Sequence, residues 1–186
     1  MENRTVTNKI VVHHSASPAN TTMEQVDQWH RNQGFSMIGY HYFIEADGEV
    51  RTGRPDWAIG AHALSANKDG LGVCLAGNFE EAPPTAIQII SLVGLIAELR
   101  RLYGNIPVVR HCDVDATACP GALFPYELVL ERLEDNKEVA KEMNIDEALE
   151  ILKEKGIVSA VEYWKMAAQV VQYLSNFIVA VANYVK

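Results

Sequence analysis

Cysteine is scarce in this chain, with three residues in 186. An odd count without regular spacing offers no disulfide framework, which argues against a cystine-stapled fold. Long apolar runs are also missing. No stretch approaches the roughly 18–20 apolar residues that a membrane span needs, so the chain is not expected to be an integral membrane protein. The opening residues, MENRTVTNKI, have no basic segment followed by an apolar one. The expectation is synthesis in a cytosol without a secretory signal. Basic residues are in deficit: 16 Lys+Arg stand against 24 Asp+Glu, for a net charge of -8. The deficit lies in residues 1–136, with 10 basic against 17 acidic, while residues 137–186 are almost balanced at 6 against 7. Such a chain is repelled by phosphate backbones, so no nucleic-acid partner is expected. Internal repeats and low-complexity tracts are absent as well.

Hydrophobic residues make up 48% of the chain, an ordinary share for a packed core. The length suits one domain plus something small. KIVVHH (Lys9–His14) is a short β-branched run and reads as a strand, broken by the turn residues SASPAN. In the following TTMEQVDQWHRNQG, Thr21 or Thr22 can cap a helix, with Glu24 or Gln25 three residues on, and Gly34 ends it. IGYHYFIEADGEVRTG reads as a hairpin, with Asp47-Gly48 suited to a type I′ turn. GLGVCLAGNF (Gly70–Phe79) is continuously apolar and predicts a central strand buried on both faces. A long helix follows, with Thr85 and Gln88 as a capping box and Gly104 as its stop. IPVVRH is a further strand that delivers His111 at its end, and a short helix is expected near Pro125. Strands interleaved with helices give an α/β domain over residues 1–135. Residues 136–145 form a charged linker or helix tail. Residues 146–186 read as a small all-α helix pair, with a Gly156 stop and a second capping box at Ser159 and Glu162.

The chemistry concentrates in RHCDVDATACPG, Arg110–Gly121. His111 and Cys119 are eight residues apart across a flexible spacer, so they can close on one metal ion. An open zinc site takes three protein ligands plus water. The third donor must come from elsewhere, and His13-His14 is the obvious source. Side chains alternate along a strand, so only one of the two can reach the ion, and composition does not choose between them.

IVVHHSAS, IGYHYFIEADGEV, AIGAHALSANKDGLGVCLAGNF and RHCDVDATACPG occur in this order and spacing. Together they resemble the zinc-dependent N-acetylmuramoyl-L-alanine amidases of the amidase-2 type, which include T7-lysozyme-like phage endolysins and peptidoglycan recognition proteins. The resemblance covers roughly residues 8 to 125. It implies a central mixed β-sheet flanked by helices. It also implies one Zn²⁺ per chain, with His13, His111 and Cys119 as ligands and Tyr40 as the site tyrosine. Thr117 stands where family members carry lysine or threonine. Zinc-activated water is then expected to cleave the amide between N-acetylmuramic acid and L-alanine. Tyr40 would donate a hydrogen bond to that water or to the developing oxyanion, and Thr117 would add a hydroxyl donor. His62 matches a pocket-lining position, and His62 and Asn67 are the candidate substrate contacts. The implied partner is bacterial peptidoglycan. The implied setting is a phage or prophage endolysin that reaches the wall after release through a holin-made lesion. A bacterial autolysin or sporulation amidase is the alternative, as is a non-catalytic peptidoglycan-binding receptor, although receptors of that kind lack the zinc cysteine.

The remaining residues read as structural. Cys112 and Cys74 are expected to be buried, and His14 and His41 to face away from the metal. His30 is expected to be an exposed helix residue and Trp57 a core residue. Gly39 and Gly72 are expected to make backbone space. Asp113 and Asp115 are expected to shape turns. The last helix, from Ser159, is apolar on more than one face and so must pack against something. Wall binding is the favoured reading for it, with self-association into a homo-oligomer the second. DNA binding is disfavoured because Lys165 is its only basic residue before Lys186.

Overall fold

A computed structural model describes residues 1–142, 145–157, 178–179 and 181–182. The expected strands and helices form in order: β1 (Lys9–His14), α1 (Met23–Asn32), β2 (Tyr42–Ile44), β3 (Val50–Thr52), β4 (Gly70–Leu75), α2 (Ala86–Tyr103), β5 (Val108–Arg110), α3 (Tyr126–Glu142) and α4 (Ile145–Glu154). The strands make one mixed sheet in the order β3-β2-β4-β1-β5. Only β2 and β3 run antiparallel; β2–β4, β4–β1 and β1–β5 are parallel pairs. β4 lies at the centre with all six residues buried, as its unbroken apolar run requires.

Alternation along the strands sorts the two faces. Ile10 and Val12 of β1, Tyr42 and Ile44 of β2, and Leu71, Val73 and Leu75 of β4 meet α2 (Leu92, Val93, Ile96, Leu99) and α3 (Val129, Leu133) in one apolar layer. The opposite face carries Phe43 and Cys74, packed with Val26 of α1 and with Ile38 and Tyr40. It also carries Val11, packed with Ala63 and Ala66. His13 is on this second face, level with Cys74 in the β1–β4 register.

The helices start where their side chains can satisfy the free N–H groups. Thr22 and Gln25 form a reciprocal capping box on α1, and Thr85 and Gln88 do the same on α2, each worth about 1 kcal/mol. α4 is closed off two residues beyond its end by Gly156, where φ is +71°, and the N–H of Ile157 donates to Leu152 O.

Several local expectations are corrected. The β2–β3 turn is not a two-residue type I′ turn. Glu45 N–H donates to Glu49 O and Gly48 N–H to Glu45 O, and of the turn residues only Gly48 has positive φ. That is a three-residue loop ending in a left-handed glycine. The helix after Pro125 is long rather than short and runs without a break through Glu142. Trp57 is 53% exposed, not core, and Cys112 is half-buried. The Ser159–Glu162 capping box and most of the last helix lie outside the described residues. Of that segment, Ile178 and Ala182 pack against Ala148, Leu149 and Leu152 of α4.

Candidate metal centre

His13 arrives from the end of β1, His111 from the one-turn 3-10 helix that follows β5, and Cys119 from the loop beyond it. The loop closes because Cys112 N–H donates to Cys119 O at 2.8 Å, while the N–H groups of Val114 and Asp115 turn back onto His111 O. One ligand atom from each of His13, His111 and Cys119 falls within 4.8 Å of the other two. No other set of three His, Cys, Asp or Glu side chains among the described residues is arranged to hold an ion. The three cysteines are free.

Hydrogen bonds select the nitrogens. His13 Nε2 lies 3.1 Å from His62 Nδ1, and His13 Nδ1 lies 3.7 Å from Cys119 Sγ. His62 Nε2 is 3.4 Å from Gly70 O. A carbonyl only accepts, so the proton of His62 belongs on Nε2, and its Nδ1 accepts from His13 Nε2–H. That leaves the Nδ1 lone pair of His13 facing the sulfur. His111 Nε2 is likewise engaged, 3.2 Å from Asp115 Oδ2, which leaves its Nδ1 free.

Burial sets the charge states. His13 is held neutral, its pKa well below the usual imidazole value because of burial and then because of His62 and His111. His62 is pushed down to about 3 by burial first and His41 second. The Cys119 thiol is pushed up to about 12 by burial, against the opposing pull of a hydrogen bond from His14 N–H. Neutral imidazoles and a displaceable thiol proton are what a zinc ion requires. Two nitrogens and one sulfur form a borderline-soft set with room for a fourth ligand. The residues fit zinc.

Tyr40 lies over this site, its ring 5.1 Å from that of His13. Its phenol is held well above the ordinary value by burial and by the neighbouring Cys74 and Cys119. It therefore stays a neutral donor. Its segment is held from α1: Asp27 Oδ1 accepts from Ile38 N–H at 2.6 Å, and His30 Nδ1 from Gly39 N–H at 2.8 Å. His30 is thus not a free surface residue. It is half-buried, with its ring 5.6 Å from that of Tyr40. Thr117 is exposed and its Oγ1 accepts from Cys119 N–H at 3.2 Å, so its own O–H is uncommitted among the described residues.

The other candidates fall into place around the three donors. Asn67 Oδ1 accepts from the N–H groups of His62 and Ala63 at 2.7 and 3.0 Å, shaping the loop that carries His62. His14 turns to the other face and accepts from Phe79 N–H through Nδ1. His41 is fully buried, accepting from Gly72 N–H and contacting Ala58 O. Gly72 makes room for His62, whose ring would stand 2.5 Å from any added Cβ, and Gly39 abuts Ala61 O in the same way. Asp113 shapes its turn by accepting from Arg110 N–H.

Sequence reasoning missed Asp115, which faces His111 rather than its own turn. The four-residue spacing from His111 was the available signal, but a local hydrogen bond is the commoner use of such an aspartate.

The family model described as N-acetylmuramoyl-L-alanine amidase matches residues 2–122. The chain belongs to the N-acetylmuramoyl-L-alanine amidase family. This amidase is 38% identical over 124 residues to the endolysin of Enterobacteria phage K11, an alignment covering 63% of this chain and 82% of that protein. It is 36% identical to the endolysin of Escherichia phage T7 with the same coverage. Among solved structures it is similar to the N-acetylmuramoyl-L-alanine amidase LysC from Clostridium intestinale URNW, at TM-score 0.66 and 38% identity, over 72% of this chain and 93% of that one. The amidase therefore has the mixed-sheet α/β fold that its motifs implied.

Proposed function

We propose that the amidase is a phage-type endolysin that holds one zinc ion through His13, His111 and Cys119 and cleaves the bond between N-acetylmuramic acid and L-alanine in peptidoglycan. The observation that carries this reading is the convergence of two imidazoles and one buried thiol, from three separate elements, within 4.8 Å. Two neutral ligands and one thiolate leave such a site net positive, and zinc there supplies Lewis acidity, enough to bring the pKa of water down to about 7.

The chain's own residues do the rest. Tyr40 remains protonated across the working pH range and donates its phenol hydrogen bond to the carbonyl oxygen as negative charge develops. Thr117 offers a second hydroxyl to the same oxygen. His62 and the loop shaped by Asn67 stand beside His13, where they border bound substrate. Threonine does not carry protons at neutral pH, so the contribution of Thr117 is hydrogen bonding alone.

Digestion of purified peptidoglycan, followed by mass spectrometry, tests the reading. New L-alanine amino termini that disappear with a chelator are expected. New reducing sugar ends would indicate a glycosidase and overturn it.

Residues 1–135 carry the reaction in this reading, residues 136–145 connect, and residues 146–186 add a helical module that retains the enzyme on the wall or pairs two chains. The acidic catalytic region has no charge attraction to an anionic wall, which favours retention. Co-sedimentation with purified walls, comparing the full chain with one ending at residue 142, tests that role. Access to the wall follows release from the cytoplasm through a membrane lesion made by another protein; no helix among the described residues is long and apolar enough to cross a membrane.

A further inference from the structure

The loop between β3 and β4 reaches both histidines of the metal centre. His62 Nδ1 accepts from His13 Nε2–H at 3.1 Å. Three residues on, Ser65 donates to Asp115 Oδ1 through its hydroxyl at 2.6 Å and its N–H at 3.3 Å. The other oxygen of Asp115 accepts from His111 Nε2–H at 3.2 Å. The Asp115 and His111 side chains are about one-fifth exposed. The loop itself is pinned: Ala63 and Ala66 are buried beside Val11, with Val109 and Val114 against them. Asn67 caps the loop backbone, and Leu64 at the tip is 89% exposed.

We infer that residues 62–67 form a bracket that presets both imidazole ligands, and that Ser65 and Asp115 are positioning residues that orient His111 for zinc. This rests on the reading of His13, His111 and Cys119 as the zinc ligands. A carboxylate on the far nitrogen of a ligating imidazole fixes its tautomer, locks its ring and raises its basicity. Here Asp115 is held in turn by Ser65, fifty residues away in sequence. The ring of His111 is therefore oriented by Asp115 of its own turn and, through Ser65, by the packed loop.

The test is the zinc affinity of the full-length chain, measured by chelator competition with zinc alone, together with the visible spectrum of the cobalt(II)-loaded protein. Asp115→Ala is expected to weaken zinc binding about 10- to 100-fold and to alter the cobalt spectrum, with the unfolding temperature of the metal-free protein little changed. Asp115→Asn, which keeps an acceptor without the charge, is expected to restore part of the affinity. Ser65→Ala is expected to give a smaller loss that adds nothing to Asp115→Ala, because the two act as one chain. Asp113→Ala serves as the control, since it removes the same charge from a residue that faces Arg110. If Asp115→Ala binds zinc as tightly as the unaltered chain, or Asp113→Ala weakens it equally, the inference is overturned. If the unaltered chain binds no zinc, the ligand reading falls first and takes this one with it. Should Asp115→Ala not fold, the Asp115→Asn and Ser65→Ala affinities decide the matter alone.

Discussion

On one face of the sheet, α2 and α3 bury a layer of Ile, Val and Leu side chains. On the other face, β1 and β4 present His13 and Cys74 beneath Tyr40 and His62. The first face is stabilised by area removed from water, which is non-directional and tolerant of exchange among apolar side chains. The second is a chain of hydrogen bonds running from Gly70 O through His62 to His13, in which each donor and acceptor has one correct partner. Adjacent residues illustrate the contrast. His14 turns toward Phe79 and the apolar layer, whereas His13, one residue earlier, faces Cys119. One face is therefore expected to govern folding and the other chemistry, with little exchange between them.

The largest test of that division is Cys119→Ser. Metal analysis is expected to find no stoichiometric zinc, and peptidoglycan cleavage is expected to be lost, while the metal-free protein unfolds near the temperature of the unaltered one. Retention of one zinc per chain would break the assignment. Tyr40→Phe comes next. It keeps the ring and removes one hydroxyl donor, so kcat is expected to fall about 10²- to 10³-fold with zinc content unchanged.

On the apolar face, Leu92→Ala is expected to cost about 2–5 kcal/mol in denaturant unfolding with no change in zinc affinity. A parallel loss of zinc would show that the faces are coupled. Acid provides a subtler probe. His62 is held at about 3 in the folded chain against 6.5 for a free imidazole. A depressed folded value means that the unfolded chain binds more protons between the two. The stability of the metal-free protein is therefore full above pH 6.5 and lost progressively as pH falls toward 3. His62→Gln is expected to flatten that slope in unfolding measured against pH. The smallest effect is Thr85→Ala, which removes the α2 cap for about 1 kcal/mol and is expected to leave the site untouched.

Much of the framework was legible from local patterns. Both reciprocal caps, the buried central strand and the delivery of His111 by a strand, which ends one residue before it at Arg110, are short-range statements, encoded within a few residues. The motifs also named the three donors that the fold brings within reach of one another. Two departures share one cause. His30 on its helix and Asp115 in its turn both looked self-sufficient, but each meets a partner supplied by another segment: Gly39 N–H for His30, and Ser65 together with the His111 ring for Asp115. Trp57 was misjudged in the opposite direction. A tryptophan is usually worth burying, yet this one is 53% exposed. The hairpin turn was misread because Asp-Gly suits both a two-residue and a three-residue loop, and the choice between them depends on strand register.

By itself, then, the sequence determined which strands and helices form, in what order, and which residue types could hold an ion. Periodicity and capping act over one turn of chain and survive without tertiary contacts. Only the tertiary structure decided which nitrogen of each histidine is engaged and which is left for an ion. That choice belongs to His62 and Asp115, through His62–His13 and Ser65–Asp115 contacts between segments 49 and 50 residues apart. An imidazole has two nearly equivalent nitrogens, so its role is set by whichever partner the closed fold brings to the other one.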